Sequence, residues 1–313
     1  MLTTISLILG LIGLWLGTEL VIRGALEISD QFKLSRVFVG LTILAIGTDL
    51  PELMVSITGG IEKLQGVQTG GLIIGNIIGS CMAQLIFTLG LAGMFSYFIL
   101  SKKQIFREGS ILLGSIILVF LFSFDGQITR FEGLSLIIVY IFYFFSIKRE
   151  EHKPAEDIER APSLHLGWSI ASLIGGLFIV VYSADVVVGS ATELALAWGL
   201  TQSSIGIFIV GIGTTLPEIA LSLGAVFKGS PGLSIGNLAG SNIFDLLFVL
   251  GTGAAIGGID VPRYLVSFDI PFLFLATSIV LILFSRKKGI QKAEASALLV
   301  VYGFYVILKL LGY

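Results

Sequence analysis

Gly40-Leu-Thr-Ile-Leu-Ala-Ile-Gly47-Thr48-Asp49-Leu50-Pro51-Glu52 returns in the second half of the chain as Gly206-Ile-Phe-Ile-Val-Gly-Ile-Gly213-Thr214-Thr215-Leu216-Pro217-Glu218. A second pair follows at nearly the same offset: Gly75-Asn76-Ile-Ile-Gly79-Ser80 and Gly236-Asn237-Leu-Ala-Gly240-Ser241. Glu19 and Asp185 correspond in the same sense. The chain reads as a duplication in which each copy sets a proline and a glutamate inside an apolar run.

The surroundings of the motif decide what those acids mean. Hydrophobic residues make up 55% of the 313 and charged residues 13%, with a mean hydropathy of +0.99. A soluble domain carries roughly 25% charge, so this surface is made for lipid. A net charge of -2 leaves no basic face for nucleic acid. The single Cys81 can form no intrachain disulfide and reads as a small buried residue. The first residues, MLTTISLILGLIGLWLG, lack a basic leader and read as a retained first span.

Apolar stretches long enough to cross a bilayer fall near 2–22, 36–60, 70–95, 108–124, 128–147, 166–189, 202–226, 232–257, 265–284 and 293–311. The one long hydrophilic run, 148–163, bisects the chain. This predicts an all-α integral membrane protein of ten transmembrane helices. Residues 1–147 form the first repeat, 148–164 a linker and 165–313 the second repeat. Five spans per repeat is an odd number, so the second copy enters the membrane inverted. Of the 19 Lys and Arg residues, 15 fall in one set of alternate loops. That bias predicts a cytoplasmic linker and both termini outside.

Pro51 and Pro217 each remove a backbone donor and clash with the preceding turn, which predicts broken helices 2 and 7. The carbonyls freed around Ala45–Thr48 and Gly211–Thr214 are tolerable only against protein, water or an ion. Glu52 and Glu218 follow the breaks, and Asp49 and Asp245 add two more acids. Each costs roughly 2.5–3.5 kcal/mol near a membrane centre, and no Lys or Arg lies at comparable depth. Protonation or bound cations are the remaining remedies. Thr48 shares a helix face with Glu52, and Thr214 with Glu218. Asn76, Ser80 and Gln84 form a polar stripe, as do Asn237, Ser241 and Asp245. The paired glycines beside these stripes predict close helix packing. Thr215 stands where the first copy has Asp49. This all-oxygen set suits a hard cation such as Ca2+ or Na+ and is a poor match for zinc or copper. His152 and His165 read as solvated, Glu19 and Asp185 as membrane-interface residues, and Asp125, Asp260 and Asp269 as loop or interfacial acids.

On the paired GT-x-LPE and G-N-x-x-G-S motifs the chain resembles the calcium/cation antiporter superfamily, in its sodium/calcium exchanger branch. The resemblance covers nearly the whole length. It implies alternating access, with spans two, three, seven and eight around the ions. It implies Glu52 and Glu218 as central calcium ligands, helped by carbonyls at Thr48 and Thr214. Ala45, Ser80, Gly211 and Ser241 would serve flanking sodium sites, and Gln84 and Asp245 a middle position. It implies no enzyme activity and no cofactor, only transported ions, with no protein partner evident. The absence of a removable leader and of a large regulatory region predicts a prokaryotic plasma membrane. Two residues depart from the branch: Asp49 replaces its usual Ser, and Gln84 its usual Asn. The extra carboxylate keeps proton coupling open, although the Gly-Asn-x-x-Glu pattern of the proton-exchanging branch is absent. A passive channel and an intramembrane hydrolase with paired acids are the other readings. Flux that never couples one ion's gradient to another's would favour the first, and the duplicated prolines have no place in the second.

Overall fold

The computed structural model describes residues 2–150, 166–197, 215–287 and 289–311. Gly211 and Thr214, the start of the predicted seventh span, the two histidines and nearly all of the linker lie outside the described residues. The first elements are α1 (Leu2–Phe32), the pair α2 (Arg36–Thr48) and α3 (Leu50–Leu64), and α4 (Gly70–Phe95). Next come β1 (Phe98–Ile99), α5 (Lys102–Phe122), β2 (Gln127–Ile128) and α6 (Arg130–Glu150). The second half shows α7 (Leu166–Ala197) and α8 (Leu216–Phe227). It continues with α9 (Pro231–Gly257), β3 (Ile259–Asp260), α10 (Leu265–Arg286), β4 (Gly289–Ile290) and α11 (Lys292–Leu310).

Among the described residues seven helices are long and apolar enough to cross a membrane, or eight if α2 and α3 make one span. The chain is thus a multi-pass membrane protein. Helix α5 starts at Lys102, earlier than the hydropathy predicts, because Ser101 and Gln104 form a capping box there. Its Lys102, Lys103 and Arg107 stay helical because long basic side chains can reach out from an apolar stem.

In the first copy of the motif the break falls where Pro51 predicts. Helices α2 and α3 meet at a bend of 48°. Asp49 is the hinge residue, with φ -84° and ψ 8°, and Thr215 takes φ -94° and ψ 8° at the equivalent place. Each proline then sits at the second position of a new helix, where a missing N–H leaves no bond unmade.

The described chain forms two compact units, each drawn from both halves: Met1–Thr48 with Glu150–Asn237, and Asp49–Arg149 with Leu238–Tyr313. In the first unit, α1 and α7 run along one another. A Cβ on Gly24 would lie 2.6 Å from the Ser169 carbonyl oxygen, so only glycine permits this approach. Val21, Ile22, Ala25, Leu173, Val180 and Leu221 fill the seam. Lys228, just past α8, pairs with Glu19 of α1 at 2.7 Å, which holds the end of α8 to α1.

In the second unit two short strand pairs tie the helix ends together: Phe98 with Ile290, and Ile128 with Ile259. The duplication carries one pair into the other, since 98 and 259 correspond, as do 128 and 290. Asp125 and Asp260 are surface residues as predicted. The first accepts from the Gln127 amide at 3.1 Å, and the second pairs with Lys63. Asp269 lies in the first turns of α10. It is buried on α10, held by Tyr305 and Lys309 of α11.

Helices α4 and α9 carry the interior. Of their most apolar windows, 72% and 89% are buried, against 28% for α6. The apolar side chains that α6 turns outward, Phe131 and Phe142 among them, face the lipid zone instead.

Candidate cation site

The acids of the second unit come from the helix break and from the two buried helices. Asp49 stands at the hinge and Glu52 one turn into α3. Ser80 and Gln84 lie on α4, and Ser241, Asn242 and Asp245 on α9. Asp49, Gln84, Ser241, Asn242 and Asp245 have no solvent exposure, and Glu52 has 1%. Ser80 Oγ donates to Glu52 Oε1 at 3.4 Å. Both Asp49 and Glu52 act electrostatically on Asp245. Neither Asp245 oxygen completes a hydrogen bond among the described residues, although the Gln84 side chain reaches toward it. Buried polar atoms nearly always have partners, so two such oxygens on one carboxylate make Asp245 a candidate to hold a cation or a proton.

Backbone geometry presents these side chains. A π-helical turn spans Ala83–Thr88 on α4 and another Asp245–Val249 on α9. Gln84, the second residue of the first turn, corresponds under the duplication to Asp245, the first residue of the other. A π turn inserts one residue, shifts the following face and recurs at functional sites. Thr88 supports the first by donating to the Ala83 carbonyl at 3.1 Å, five residues back. Asn76, expected on the same stripe, is only half-buried. A Cβ on Gly75 or Gly79 would meet no described atom within 4 Å, whereas one on Gly236 would strike the Val37 carbonyl. The close approach predicted for both glycine pairs is therefore seen among the described residues only at the second.

The first unit holds the other predicted residues. Ala45 and Thr48 are buried at the end of α2, and the Thr48 hydroxyl donates to the Ala45 carbonyl at 3.3 Å. Thr215 and Glu218 are fully buried at the start of α8. Asn237 Nδ2 donates to Ser222 Oγ at 3.5 Å, and its Oδ1 completes no hydrogen bond among the described residues.

Three buried polar residues escaped the sequence reading. Ser56 and Ser222 continue the Thr48–Glu52 and Thr214–Glu218 faces by one further helical turn, a spacing legible in the sequence. Asn242 had no periodic signal, since it lies off the Asn237–Ser241–Asp245 stripe. Among the described residues no three acidic, histidine or cysteine side chains suffice to hold a metal ion. A cation here must recruit neutral oxygens as well, as hard cations do.

Buried acids and amides on broken and π-bulged helices, within a multi-pass bundle, are the interior of a membrane cation transporter. Residues 2–147 and 168–311 match the family described as "Sodium/calcium exchanger protein", and the chain belongs to that family. It is 30% identical over 312 residues to the "Putative antiporter CaxA" of Alkalimonas amylolytica, covering 96% of each chain. It is 27% identical over 344 residues to the "Sodium/calcium exchanger MaX1" of Methanosarcina acetivorans, covering 96% of this chain and 97% of that one. A solved structure of the sodium-calcium exchanger NCX_Mj superposes with a TM-score of 0.84 at 28% identity, covering 99% of both chains. The protein is a cation exchanger and not an enzyme.

Proposed function

We propose that the chain exchanges Ca2+ for Na+ by alternating access across the plasma membrane. The observation that carries this reading is the wholly buried acidic group Asp49, Glu52 and Asp245, whose Asp245 oxygens complete no hydrogen bond among the described residues. Leaving such charge in a membrane without a cation costs several kcal/mol. Glu52 and its repeat equivalent Glu218 are the central calcium ligands, with the carbonyls of Thr48 and Thr214. Ser80, Ser241, Ala45 and Gly211 serve sodium, and Asp245 with its neighbour Gln84 makes the middle position. Asp49, Thr215, Asn76 and Asn237 complete the cation-binding set.

The same reading takes ten spans in two inverted repeats, 1–147 and 165–313, joined by a cytoplasmic segment at 148–164, with both termini outside. The exchange of one strand pair for the other under the duplication supports it, as does the family match in two stretches. Purified protein in liposomes, loaded with Na+ and diluted into sodium-free buffer with radioactive Ca2+, is expected to accumulate calcium. Uptake indifferent to sodium at every calcium concentration overturns sodium coupling.

Proton coupling is the second reading, favoured by one observation: the extra carboxylate of Asp49 is fully buried and acts on Asp245. In that case calcium uptake follows a pH gradient without sodium.

A further inference from the structure

The resemblance assigns Gln84 as a cation ligand, which requires its amide oxygen to face the ion. The hydrogen bonds around it say otherwise. The backbone carbonyl of Leu238 can only accept a hydrogen bond. The Asn242 side-chain atom 2.7 Å from it is therefore the amide nitrogen, Nδ2. That nitrogen also lies 2.9 Å from the Gln84 side chain, so the Gln84 atom it meets must be the acceptor, Oε1. The orientation of two amides thus follows from one unambiguous carbonyl rather than from a choice between O and N. Gln84 Nε2 is left as the end that completes no hydrogen bond among the described residues, and the Gln84 side chain interacts with Asp245. Gln84, Asn242 and Asp245 all have zero exposure, so bulk water does not rearrange the chain of bonds.

We infer that Asn242 is a positioning residue, which takes up the Gln84 amide oxygen so that the nitrogen, and not the oxygen, is left toward Asp245 and Gln84 does not ligate the cation. Asn242 acts from α9 on α4, and through Gln84 it fixes where the Asp245 carboxylate points. A hydrogen-bond partner behind a metal-binding carboxylate orients it, and such partners are worth about 10–100-fold in metal affinity. Asn242 Oδ1, which completes no hydrogen bond among the described residues, is the amide oxygen that this arrangement leaves over.

The inference rests on calcium being the cargo of this site, and the experiment separates the two. Wild type, Gln84→Leu, Asn242→Leu, the double variant and Asn242→Asp are reconstituted, and both half-saturating Ca2+ and maximal exchange rate are measured. Each leucine variant is expected to raise half-saturation about tenfold, and the double variant no further than Gln84→Leu alone. Effects that multiply in the double variant, or a change of maximal rate alone, overturn the inference. Asn242→Asp offers only an acceptor, so it turns the Gln84 oxygen onto Asp245. Calcium binding is expected to weaken despite the added negative charge, and binding as tight as wild type overturns the polarity. Where Asn242→Leu does not fold, Asn242→Ser replaces it: its hydroxyl can still serve Leu238 but is too short for Gln84. Calcium-induced thermal stabilisation in detergent needs no counter-ion. Wild type without that stabilisation overturns the cargo reading, whereas a stabilised wild type with the wrong variant order overturns this inference alone.

Discussion

The Tyr305 phenol donates to Asp269 Oδ1 at 2.7 Å, while Lys309 Nζ holds the other carboxylate oxygen at 2.9 Å. The first half repeats the device: Tyr143 donates to Glu108 Oε2 at 2.7 Å, and Arg107 Nε holds Oε1 at 2.7 Å. Glu108 and Asp269 correspond under the duplication, and Tyr143 and Tyr305 correspond to within one position. The duplication kept the carboxylate–tyrosine clasp and changed the source of its cation, from the neighbouring residue of α5 to a residue one turn further along α11. Each clasp fastens two consecutive helices in the second unit, α5 to α6 and α10 to α11.

Hydrogen bonds to a charged group contribute about 1.5–3 kcal/mol. Tyr305→Phe keeps the ring and removes the donor, so it is expected to destabilise by about 2 kcal/mol while leaving half-saturating Ca2+ unchanged. Thermal melting in detergent beside transport kinetics checks both halves of this statement. A shift in ion affinity with intact stability would place the clasp in the transport site instead.

Neutralising a central acid removes charge where a cation is to sit. Glu52→Gln and Glu218→Gln are each expected to cut calcium exchange by about two orders of magnitude. Both proteins should still fold, because an uncharged side chain is cheaper to bury than a carboxylate. Radioactive calcium uptake at saturating and subsaturating Ca2+ measures the effect. Wild-type uptake in both variants is incompatible with the proposed roles.

Asp49 is the place to separate the two coupling readings. Asp49→Ser is expected to leave sodium-driven calcium uptake in place and to shift its cation preference. If instead the protein is proton-coupled, the same substitution abolishes uptake driven by a pH gradient. Uptake under each gradient alone, with the other ion clamped, decides between them.

Close packing of α1 on α7 sets a steric prediction. A methyl group on Gly24 would press on the Ser169 carbonyl and the Leu173 amide, so Gly24→Ala is expected to cost about 1–3 kcal/mol. Gly114→Ala on α5 meets nothing within 4 Å and is expected to cost nothing. Melting temperatures of the two variants test the contrast.

Membrane class, duplication and the place of the helix break were all written in the sequence. Each rests on local chemistry: apolar length, repeated residues and the missing N–H of Pro51 and Pro217. The acids Asp49, Glu52, Glu218 and Asp245 were legible for the same reason, since charge inside an apolar run stands out without any knowledge of neighbours. The burial of Asp269 was not legible, because it comes from Tyr305 and Lys309, a helix away, and no local pattern announces them. The role of Gln84 was beyond the sequence altogether. Amide orientation depends on which donor a second helix brings to it, and Asn242 lies in the other half of the chain. Residue type and period determine what a segment can do; only the packed bundle decides which end of a polar group faces the ion.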